Sequence, residues 1–292
     1  MKKDITELFC FIDDFCQIYE RYAEEKLLPS DKIRKRSTKM SLSEMLTVVI
    51  MFQVSYAKNF KYFYKTYIEY LHKGDFKTAL SYTRFVALMP RLFMPLSVLL
   101  HLLSGEKTGI YFMDSTAISI CHNKRRYSNK TFAHLAASSK SSMGYFHGFK
   151  LHMVINNKGD LMALKITKGN VDDRKHVNNI TKNLIGKIYA DKGYIDQNLF
   201  LTLYKRGLKM VHGIKKNMKN KLMDLQDKIL LKKRSLIETV FDYLKNKMNL
   251  VHTRHRSTIN AFVHLLSTLV AYSLKKNKPT LKFNFLDTLI QN

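Results

Sequence analysis

Apolar residues recur at helical spacing through the first hundred positions of the chain. One such set is Leu42, Leu46, Val49 and Ile50, and apolar side chains three or four positions apart share one face of an α-helix. Ser41 and Glu44 have the spacing of a capping box, which predicts that a helix begins there. Pro29 and the basic segment 32–36 predict an exposed linker before it.

The pattern changes after residue 104, where short β-rich runs alternate with helical ones. Residues 109–118 predict a strand that reaches an acidic residue, and residues 149–155 and 161–166 predict a hairpin around a turn at 156–160. The segments that follow predict a helix at 173–184, a strand at 187–190, a helix at 195–206, a strand at 208–212, a mobile or DNA-ordered lysine-rich stretch at 215–233, and two helices within 234–276 separated near 254–256.

This order of elements predicts an α/β fold with a mixed sheet flanked by helices, preceded by an all-α region. We expect a helical N-terminal DNA-binding region at 1–104, a catalytic domain at 105–276 and a C-terminal tail at 277–292.

The charge of the chain favours a polyanionic partner. There are 50 Lys and Arg against 23 Asp and Glu, a net charge of +27. Residues 192–292 hold 20 basic and 6 acidic residues, whereas residues 1–30 hold 4 and 7. Basic ribosomal and membrane-surface proteins have similar compositions, so charge alone leaves the partner open. The aromatic and lysine-rich run 56–70 is either a core stripe with solvated lysines or a DNA-contacting helix.

Several classes of protein are disfavoured. No apolar run approaches the ~18 residues that span a bilayer, and Asp4 and Glu7 interrupt any export signal, so we expect a cytoplasmic, nucleoid-associated protein without a membrane partner. Cys10, Cys16 and Cys121 form no CxxC pair, which argues against a disulfide framework or a zinc site. The sequence contains neither GxxxxGK nor GxGxxG, so no nucleotide cofactor is expected.

Three carboxylates have the arrangement that phosphodiester chemistry needs. Asp114 is expected to end an apolar strand, Asp191 follows the strand KIYA, and Glu238 lies on an amphipathic helix. Two divalent metal ions about 4 Å apart activate a nucleophile and stabilise a leaving oxygen, and Mg²⁺ prefers oxygen ligands. Carboxylates from separate segments that converge on one point would hold such ions.

The segments YFMDST, YADKGY and KRSLIETVFDYLK resemble the catalytic motifs of DDE transposases from bacterial insertion sequences. The arrangement is similar to the compact subgroup that has no inserted domain between the second Asp and the Glu, which lie 47 positions apart here. The segments FHGFKLH and KGNVDD fit the connecting strands of the same subgroup.

The resemblance implies a retroviral-integrase-like or RNase H-like fold. It also implies two Mg²⁺ ions with Mn²⁺ as a substitute, and metal-dependent strand cleavage and transfer. The implied partners are double-stranded DNA, both transposon ends with terminal inverted repeats and target DNA, and further copies of the chain in a homodimer or higher oligomer.

Related transposases carry a Tyr-x2-Arg-x3-Glu-x6-Lys signature on the Glu helix. Arg234, Glu238 and Lys245 match it, and Leu231 stands at the tyrosine position, which puts in doubt the DNA contact of that tyrosine. At α-helical spacing the three matching residues share a face that suits a phosphate backbone. The expected buried stripe consists of Ile237, Val240, Leu244 and Met248.

Each residue alone has a simpler interpretation. A lone Asp after a strand more often caps a turn, and Arg234 with Glu238 is also an ordinary i,i+4 ion pair. Asp172 and Asp173 are expected to start a helix, and Lys192-Gly193 to shape a turn. The basic residues after the first Asp are expected either to be solvated or to contact the transferred strand; they are Lys124, Arg125, Arg126 and Lys130.

The histidines lack metal-ligand spacing and are interpreted as polar or DNA-facing residues, with His147 and His152 as alternatives for lining the site. The histidines considered are His134, His147, His152 and His176. Two rival functions stay open at this point: a metal-dependent nuclease of the same fold that does not join strands, and a non-catalytic DNA-binding repressor.

Overall fold

The computed structural model describes residues 2–26, 38–55, 57–141, 144–214, 218 and 222–281. The chain divides into two compact units, one comprising Met1–Leu103, Asn246–Leu250 and His255–Leu274, the other Ser104–Lys245, Val251–Arg254 and Lys275–Asn292. The predicted linker at 32–36 lies outside the described residues.

The helices and strands follow one another in chain order. They are α1 Lys2–Lys26, α2 Leu42–Val54, α3 Phe60–Phe63, a π-helical segment Tyr64–Leu71, α4 Tyr82–Leu88, a 3-10 turn Met89–Leu92, α5 Phe93–Leu102, β1 Ile110–Cys121, a 3-10 turn Asn123–Arg125, β2 Ala137–Ser141, β3 Gly144–Asn156, β4 Leu161–Lys168, a 3-10 turn Asp173–His176, α6 Val177–Ile180, β5 Gly186–Ala190, a 3-10 turn Lys192–Tyr194, α7 Gln197–Lys205, β6 Leu208–His212, α8 Leu225–Lys232, α9 Ser235–Asp242, a π-helical turn Tyr243–Lys247 and α10 Thr258–Ser273.

The helical unit is built on apolar helices that pack together. The predicted capping box at Ser41 and Glu44 is confirmed, since each donates a backbone N–H to the other's side chain. α10 packs against α2 and α5. Among its buried polar side chains, the Ser267 hydroxyl accepts the Gln53 side-chain amide at 2.9 Å. This helix belongs to the helical unit, although we expected it within the catalytic domain at 105–276. It is buried on nearly every side, as an apolar helix in contact with α2 and α5.

The run of aromatic residues in this unit has both a buried and an exposed side. Phe63 and Tyr64 are buried, whereas Tyr62 and Tyr70 are 61% and 78% exposed. The core interpretation therefore holds for part of the run, and the exposed tyrosines leave a face that solvent reaches.

One stretch of this unit, Tyr82–Leu102, is long and apolar enough to cross a membrane by length and composition, although 44% of its most apolar window is buried. Our sequence analysis did not identify it. Helices of a buried core pass the same test, and Leu92, Leu96 and Leu99 are buried here.

The second unit is centred on a mixed sheet. Within the described residues, six strands form one sheet in which β3, β1, β5 and β6 are successive neighbours. β1 pairs antiparallel with β3 and parallel with β5, and β6 is parallel to β5. On the other edge of β3, β2 pairs with its first half and β4 with its second half. This is the mixed sheet expected for an RNase H-like fold.

The register brings the start of β5 close to the start of β1. Gly186 has φ +115°, a backbone conformation that L side chains rarely adopt, and a Cβ there would collide with the Gly109 carbonyl oxygen. The Lys187 N–H then donates to that same carbonyl at 2.8 Å. Glycine at position 186 therefore allows the parallel pairing that places the starts of β1 and β5 side by side.

The two faces of the sheet are covered differently. Tyr111 and Met113 of β1 join Ile188 of β5 in a buried apolar cluster that includes Leu203 of α7. Side chains alternate between faces along a strand. The opposite face therefore carries Phe112, and its ring lies 5.6 Å from that of Tyr189.

Candidate active site

Asp114 lies within β1, not at its end. The strand continues seven residues further to Cys121, which differs from the expected strand that ended near 118. By alternation Asp114 shares the face of Phe112, and its side chain is 23% exposed. One carboxylate oxygen, Oδ1, accepts the Ser115 N–H at 2.8 Å. This local bond fixes the carboxylate against the backbone of its own strand.

Asp191 directly follows β5 on the same face. Phe112 pairs with Tyr189 in the parallel ladder, so position 191 lies level with position 114, on strands about 4.8 Å apart. The Asp191 side chain caps no turn, although its residue is the N-cap of the 3-10 turn Lys192–Tyr194. The turn-capping interpretation of this aspartate is therefore not supported.

Glu238 reaches the site from α9, which packs on β1. The predicted buried stripe of this helix is confirmed, because Ile237, Val240, Leu244 and Met248 are each at most 3% exposed. Glu238 flanks this stripe, about 100° around the helix from Ile237, and its side chain is 56% exposed.

Arg234 joins two of the three acids. Its Nη1 donates to Asp114 Oδ2 at 3.0 Å, and its Nη2 donates to Glu238 Oε1 at 2.9 Å. The Arg234 side chain is 19% exposed. A single guanidinium can donate to both only if the two carboxylates converge, although the residues lie 124 positions apart. The i,i+4 ion pair between Arg234 and Glu238 is present, and the same guanidinium also pairs with Asp114.

The acidic centre is electrostatically strained. Burial raises the pKa of Asp114, and the charge of Asp191 raises it further. The Ser115 N–H and the Arg234 guanidinium oppose this rise by stabilising the charged carboxylate. A positive charge is therefore stabilising between these acids.

The donor set fits a divalent cation. The three candidate ligands are carboxylates, the oxygen donors that Mg²⁺ prefers. Among the described residues, no three His, Cys, Asp or Glu side chains are grouped closely enough to hold a metal ion. The Glu238 carboxylate is instead paired with Arg234.

A buried ion cluster anchors the helix that precedes Arg234. Asp227 of α8 is 1% exposed. Its carboxylate accepts from Lys187 Nζ at 2.8 Å, from the Tyr189 hydroxyl at 2.8 Å and from Lys209 Nζ at 3.2 Å. These contacts attach α8 to β5 and β6. Residues 225–232 are therefore helical, whereas we predicted an irregular stretch, and positions 215–217 and 219–221 lie outside the described residues.

The expected single face of Arg234, Glu238 and Lys245 is altered by the backbone. α9 ends at Asp242, and Lys245 lies in the π-helical turn Tyr243–Lys247. A π-helical turn has a wider hydrogen-bond spacing, so the α-helical spacing no longer relates Lys245 to Glu238. Burial lowers the pKa of Lys245. Leu231, at the tyrosine position of the signature, lies in the last turn of α8.

The four other predicted DNA-binding residues lie in an exposed loop after β1. Lys124 and Arg125 belong to a 3-10 turn, and Arg126 and Lys130 follow it. They are near Asp114 in sequence. However, the seven strand residues after Asp114, up to Cys121, at about 3.3 Å each, separate the loop from Asp114 by about 23 Å along β1. The Arg126 guanidinium lies 4.5 Å from the ring of Tyr127, which is 87% exposed. The loop therefore offers an exposed basic and aromatic surface, away from the acids.

Sequence reasoning missed a polar cluster on the other face of β1. Ser115 donates to Asp173 Oδ2 at 3.1 Å, and Lys150 Nζ donates to Asp173 Oδ1 at 3.0 Å. His152 Nδ1 lies 3.8 Å from the same carboxylate. Asp172 caps a 3-10 turn that leads into the short α6, where we predicted a helix at 173–184, and Asp173 faces the cluster. The available signals were the segments FHGFKLH and KGNVDD, which contain Lys150, His152 and Asp173.

The remaining histidines lie elsewhere. His147 Nδ1 contacts the Ser138 hydroxyl at 2.9 Å. His134 is exposed, and the ring of His176 lies 5.9 Å from that of His152. Of these four histidines, His152 is the one that pairs with Ser115, the neighbour of Asp114, and its side chain lies on the opposite face of the strand.

The chain is similar to known transposases. Residues 104–258 match the family model of the transposase DDE domain. No curated protein matches. Among solved structures, the chain is similar to the piggyBac transposase in a synaptic complex with hairpin DNA, with a TM-score of 0.51 and 11% identity over 98% of this chain and 76% of that one. It also matches the Mos1 strand transfer complex, with a TM-score of 0.24 and 8% identity over 90% of this chain and 86% of that one.

The piggyBac similarity supports the RNase H-like fold, and the family match covers more than half of the chain, including the three acidic positions. The chain therefore belongs to the transposase DDE domain family.

Proposed function

We propose that this transposase binds the terminal inverted repeats of its element and catalyses metal-dependent cleavage and transfer of DNA strands, with Asp114, Asp191 and Glu238 as the catalytic and metal-binding residues. The observation that carries the proposal is the pair of bonds from Arg234 to Asp114 and Glu238. It brings a strand carboxylate and a helix carboxylate to one point, level with Asp191.

Asp114, Asp191 and Glu238 would hold two Mg²⁺ ions, with Mn²⁺ as a substitute. Bound there, the ions would activate the attacking oxygen and stabilise the leaving oxygen. The carboxylates of Asp114 and Asp191 would be held in place by their strands. Glu238 would turn from Arg234 towards the ions, and the freed guanidinium would face the DNA phosphate, which is a good bidentate partner for arginine.

The basic loop would bind DNA beyond the acidic centre. Lys124, Arg125, Arg126 and Lys130 are exposed, so they are available to phosphates. Lys245 would contribute a further cation. The helical region at 1–104 would distinguish transposon ends from other double-stranded DNA, and assembly of two or more copies would bring two ends together.

Substitution of the acids tests the chemical proposal. In a Mg²⁺-dependent nicking assay on end-containing DNA, we expect Asp191→Asn and Glu238→Gln to reduce the single-turnover rate at least about 100-fold, with DNA binding retained. Each change weakens a ligand but keeps the size of the side chain. Asp242→Asn is the matched control, because Asp242 lies one turn after Glu238 on α9.

The control should change nicking only a few-fold. Retained nicking in Asp191→Asn or Glu238→Gln would remove that residue from the site. Loss of nicking in Asp242→Asn alone would transfer the ligand role to Asp242.

A further inference from the structure

The cluster around Asp173 lies behind Asp114, on the opposite face of the same strand. In the β1–β3 ladder, Ser115 pairs with His152 and Ala117 with Lys150. Side chains alternate along each strand, so Ser115, His152 and Lys150 share the face of Met113 and Val154, which belong to the apolar cluster of this unit. A polar group here interrupts an otherwise apolar surface.

The polar and charged members of the cluster are costly to bury. The Lys150 side chain is 18% exposed and that of His152 is 2% exposed. Taking such groups from water costs free energy unless partners satisfy them. Lys150 Nζ has two acceptors, Asp173 Oδ1 at 3.0 Å and the Val171 carbonyl at 3.1 Å. His152 Nε2 contacts the Thr167 hydroxyl at 2.9 Å.

The contacts of Asp173 lead to Asp114 through one residue. Asp173 is held by Lys150 and accepts the hydroxyl hydrogen of Ser115. The backbone N–H of the same Ser115 donates to Asp114 Oδ1. The side chain and the backbone of Ser115 are thus tied to carboxylates on opposite faces of β1. A rotation of the backbone at Ser115 that moved Asp114 would also strain the bond to Asp173.

The strand needs such support at this point. β5 ends at Ala190, and its ladder with β1 extends only as far as Phe112. From Asp114 onward, β1 is held by the ladder to β3. The Ser115–Asp173 bond at 3.1 Å therefore fixes β1 where the support of β5 ends.

We infer that Asp173, held by Lys150, is a positioning residue that acts through Ser115 to orient the Asp114 carboxylate for metal binding. The inference rests on the proposed metal-binding role of Asp114. Partners in the outer shell of metal ligands typically change metal affinity by about 10–100-fold when removed.

Ser115→Ala is the decisive variant, because it removes the bond to Asp173 without changing the charge of the site. Mn²⁺ binding to the full chain, measured without DNA by the electron paramagnetic resonance signal of free Mn²⁺, gives a readout that does not depend on cleavage. We expect Ser115→Ala to weaken Mn²⁺ binding about 10-fold, the lower end of that outer-shell range. Ser115→Thr keeps the hydroxyl and should bind within about two-fold of the wild type.

Asp172→Ala is the matched control in the neighbouring position. Asp172 pairs with Arg174 at 2.6 Å and caps the same 3-10 turn, so its removal disturbs the segment without touching Ser115. It should leave Mn²⁺ binding unchanged, whereas Asp173→Ala should weaken it at least as much as Ser115→Ala. If Asp173→Ala does not fold, the two Ser115 variants decide the question alone.

Wild-type Mn²⁺ affinity in Ser115→Ala would overturn the inference, and so would equal weakening in Ser115→Ala and Ser115→Thr. Asp114→Asn separates this result from failure of the proposed function. If the wild type and Asp114→Asn bind Mn²⁺ equally, the metal site itself is wrong and the positioning role falls with it. If only Asp114→Asn loses binding, the metal site stands and the positioning role is wrong.

Discussion

The buried Asp227 cluster should be a principal support of the helix that leads to Arg234. In Asp227→Ala, α8 loses its three hydrogen bonds to β5 and β6. The bond from the buried Tyr189 hydroxyl contributes about 1.5–3 kcal/mol, as hydrogen bonds to charged groups typically do. The two lysines are 35% and 43% exposed, so each of their ion pairs is discounted to about 0.2–1 kcal/mol.

The expected loss is therefore about 3 kcal/mol in the free energy of opening of the sheet. Amide hydrogen exchange at residues 186–190 measures this quantity directly, and a loss of that size accelerates exchange about 100-fold, since about 1.4 kcal/mol corresponds to a factor of ten. Asp227→Asn keeps an acceptor for Tyr189 and should lose about half as much.

Asp224→Ala is the control on the same helix. Asp224 is exposed and makes no side-chain cap hydrogen bond, so its replacement should change stability by no more than about 0.5 kcal/mol. Equal exchange rates in Asp227→Ala and Asp224→Ala would refute the reasoning.

The Asp227 contribution should also depend on pH in a defined direction. Burial alone would raise the pKa of Asp227, but the hydrogen bonds from Lys187, Tyr189 and Lys209 outweigh burial and lower it. A carboxylate with a lowered folded pKa stabilises the fold fully above its unfolded pKa of about 3.9. That contribution is lost as pH falls through the folded value. The difference between the wild type and Asp227→Asn should therefore shrink below about pH 4.

Two further predictions concern His152 and the basic loop. Burial lowers the pKa of His152 to about 4, so the free energy of unfolding should decrease as pH falls from about 6.5, where an unfolded histidine takes up its proton. His152→Gln should reduce this pH dependence in urea unfolding measured at pH 7.5 and 4.5. An unchanged pH dependence in the variant would contradict the prediction. The double variant Lys124→Ala/Arg125→Ala should make the slope of log affinity for DNA against log salt about 2 less steep, because each phosphate contact contributes about 0.9. The control Lys182→Ala/Lys205→Ala removes two exposed cations elsewhere in the same unit, and equal slopes for the two double variants would argue against the loop as a DNA-binding surface.

Local sequence patterns were sufficient to predict several of the helices and strands. Alternation and turn residues predicted β4, β5 and β6 to within two residues and the second half of β3, and helical spacing predicted the buried stripe of α9. The three acidic positions were identified from their motifs, although Asp114 lies within its strand and not at its end. The pairing of Phe112 with Tyr189 brings Asp114 level with Asp191, and no local pattern encodes that pairing.

Tertiary contacts explain what the sequence did not predict. β2 has the polar sequence ASSKS and becomes a strand only because β3 supplies a partner edge. The sequence of α8 appeared too polar for a packed helix. It packs because its buried acid, Asp227, is neutralised by Lys187 of β5 and Lys209 of β6. Asp173 resembled a helix-starting residue, and only the fold places it beside Lys150 and Ser115.

The most direct test of the account is a strand-joining measurement with a pre-cut transposon end and a labelled target duplex. The wild-type chain with Mg²⁺ should link the 3′ end covalently to the target, and Asp191→Asn should bind the same DNA without joining it. Joining by Asp191→Asn at the wild-type rate would contradict the assignment of the acidic site. Cleavage of intact ends by the wild type without any joining would instead identify a nuclease that does not transfer strands.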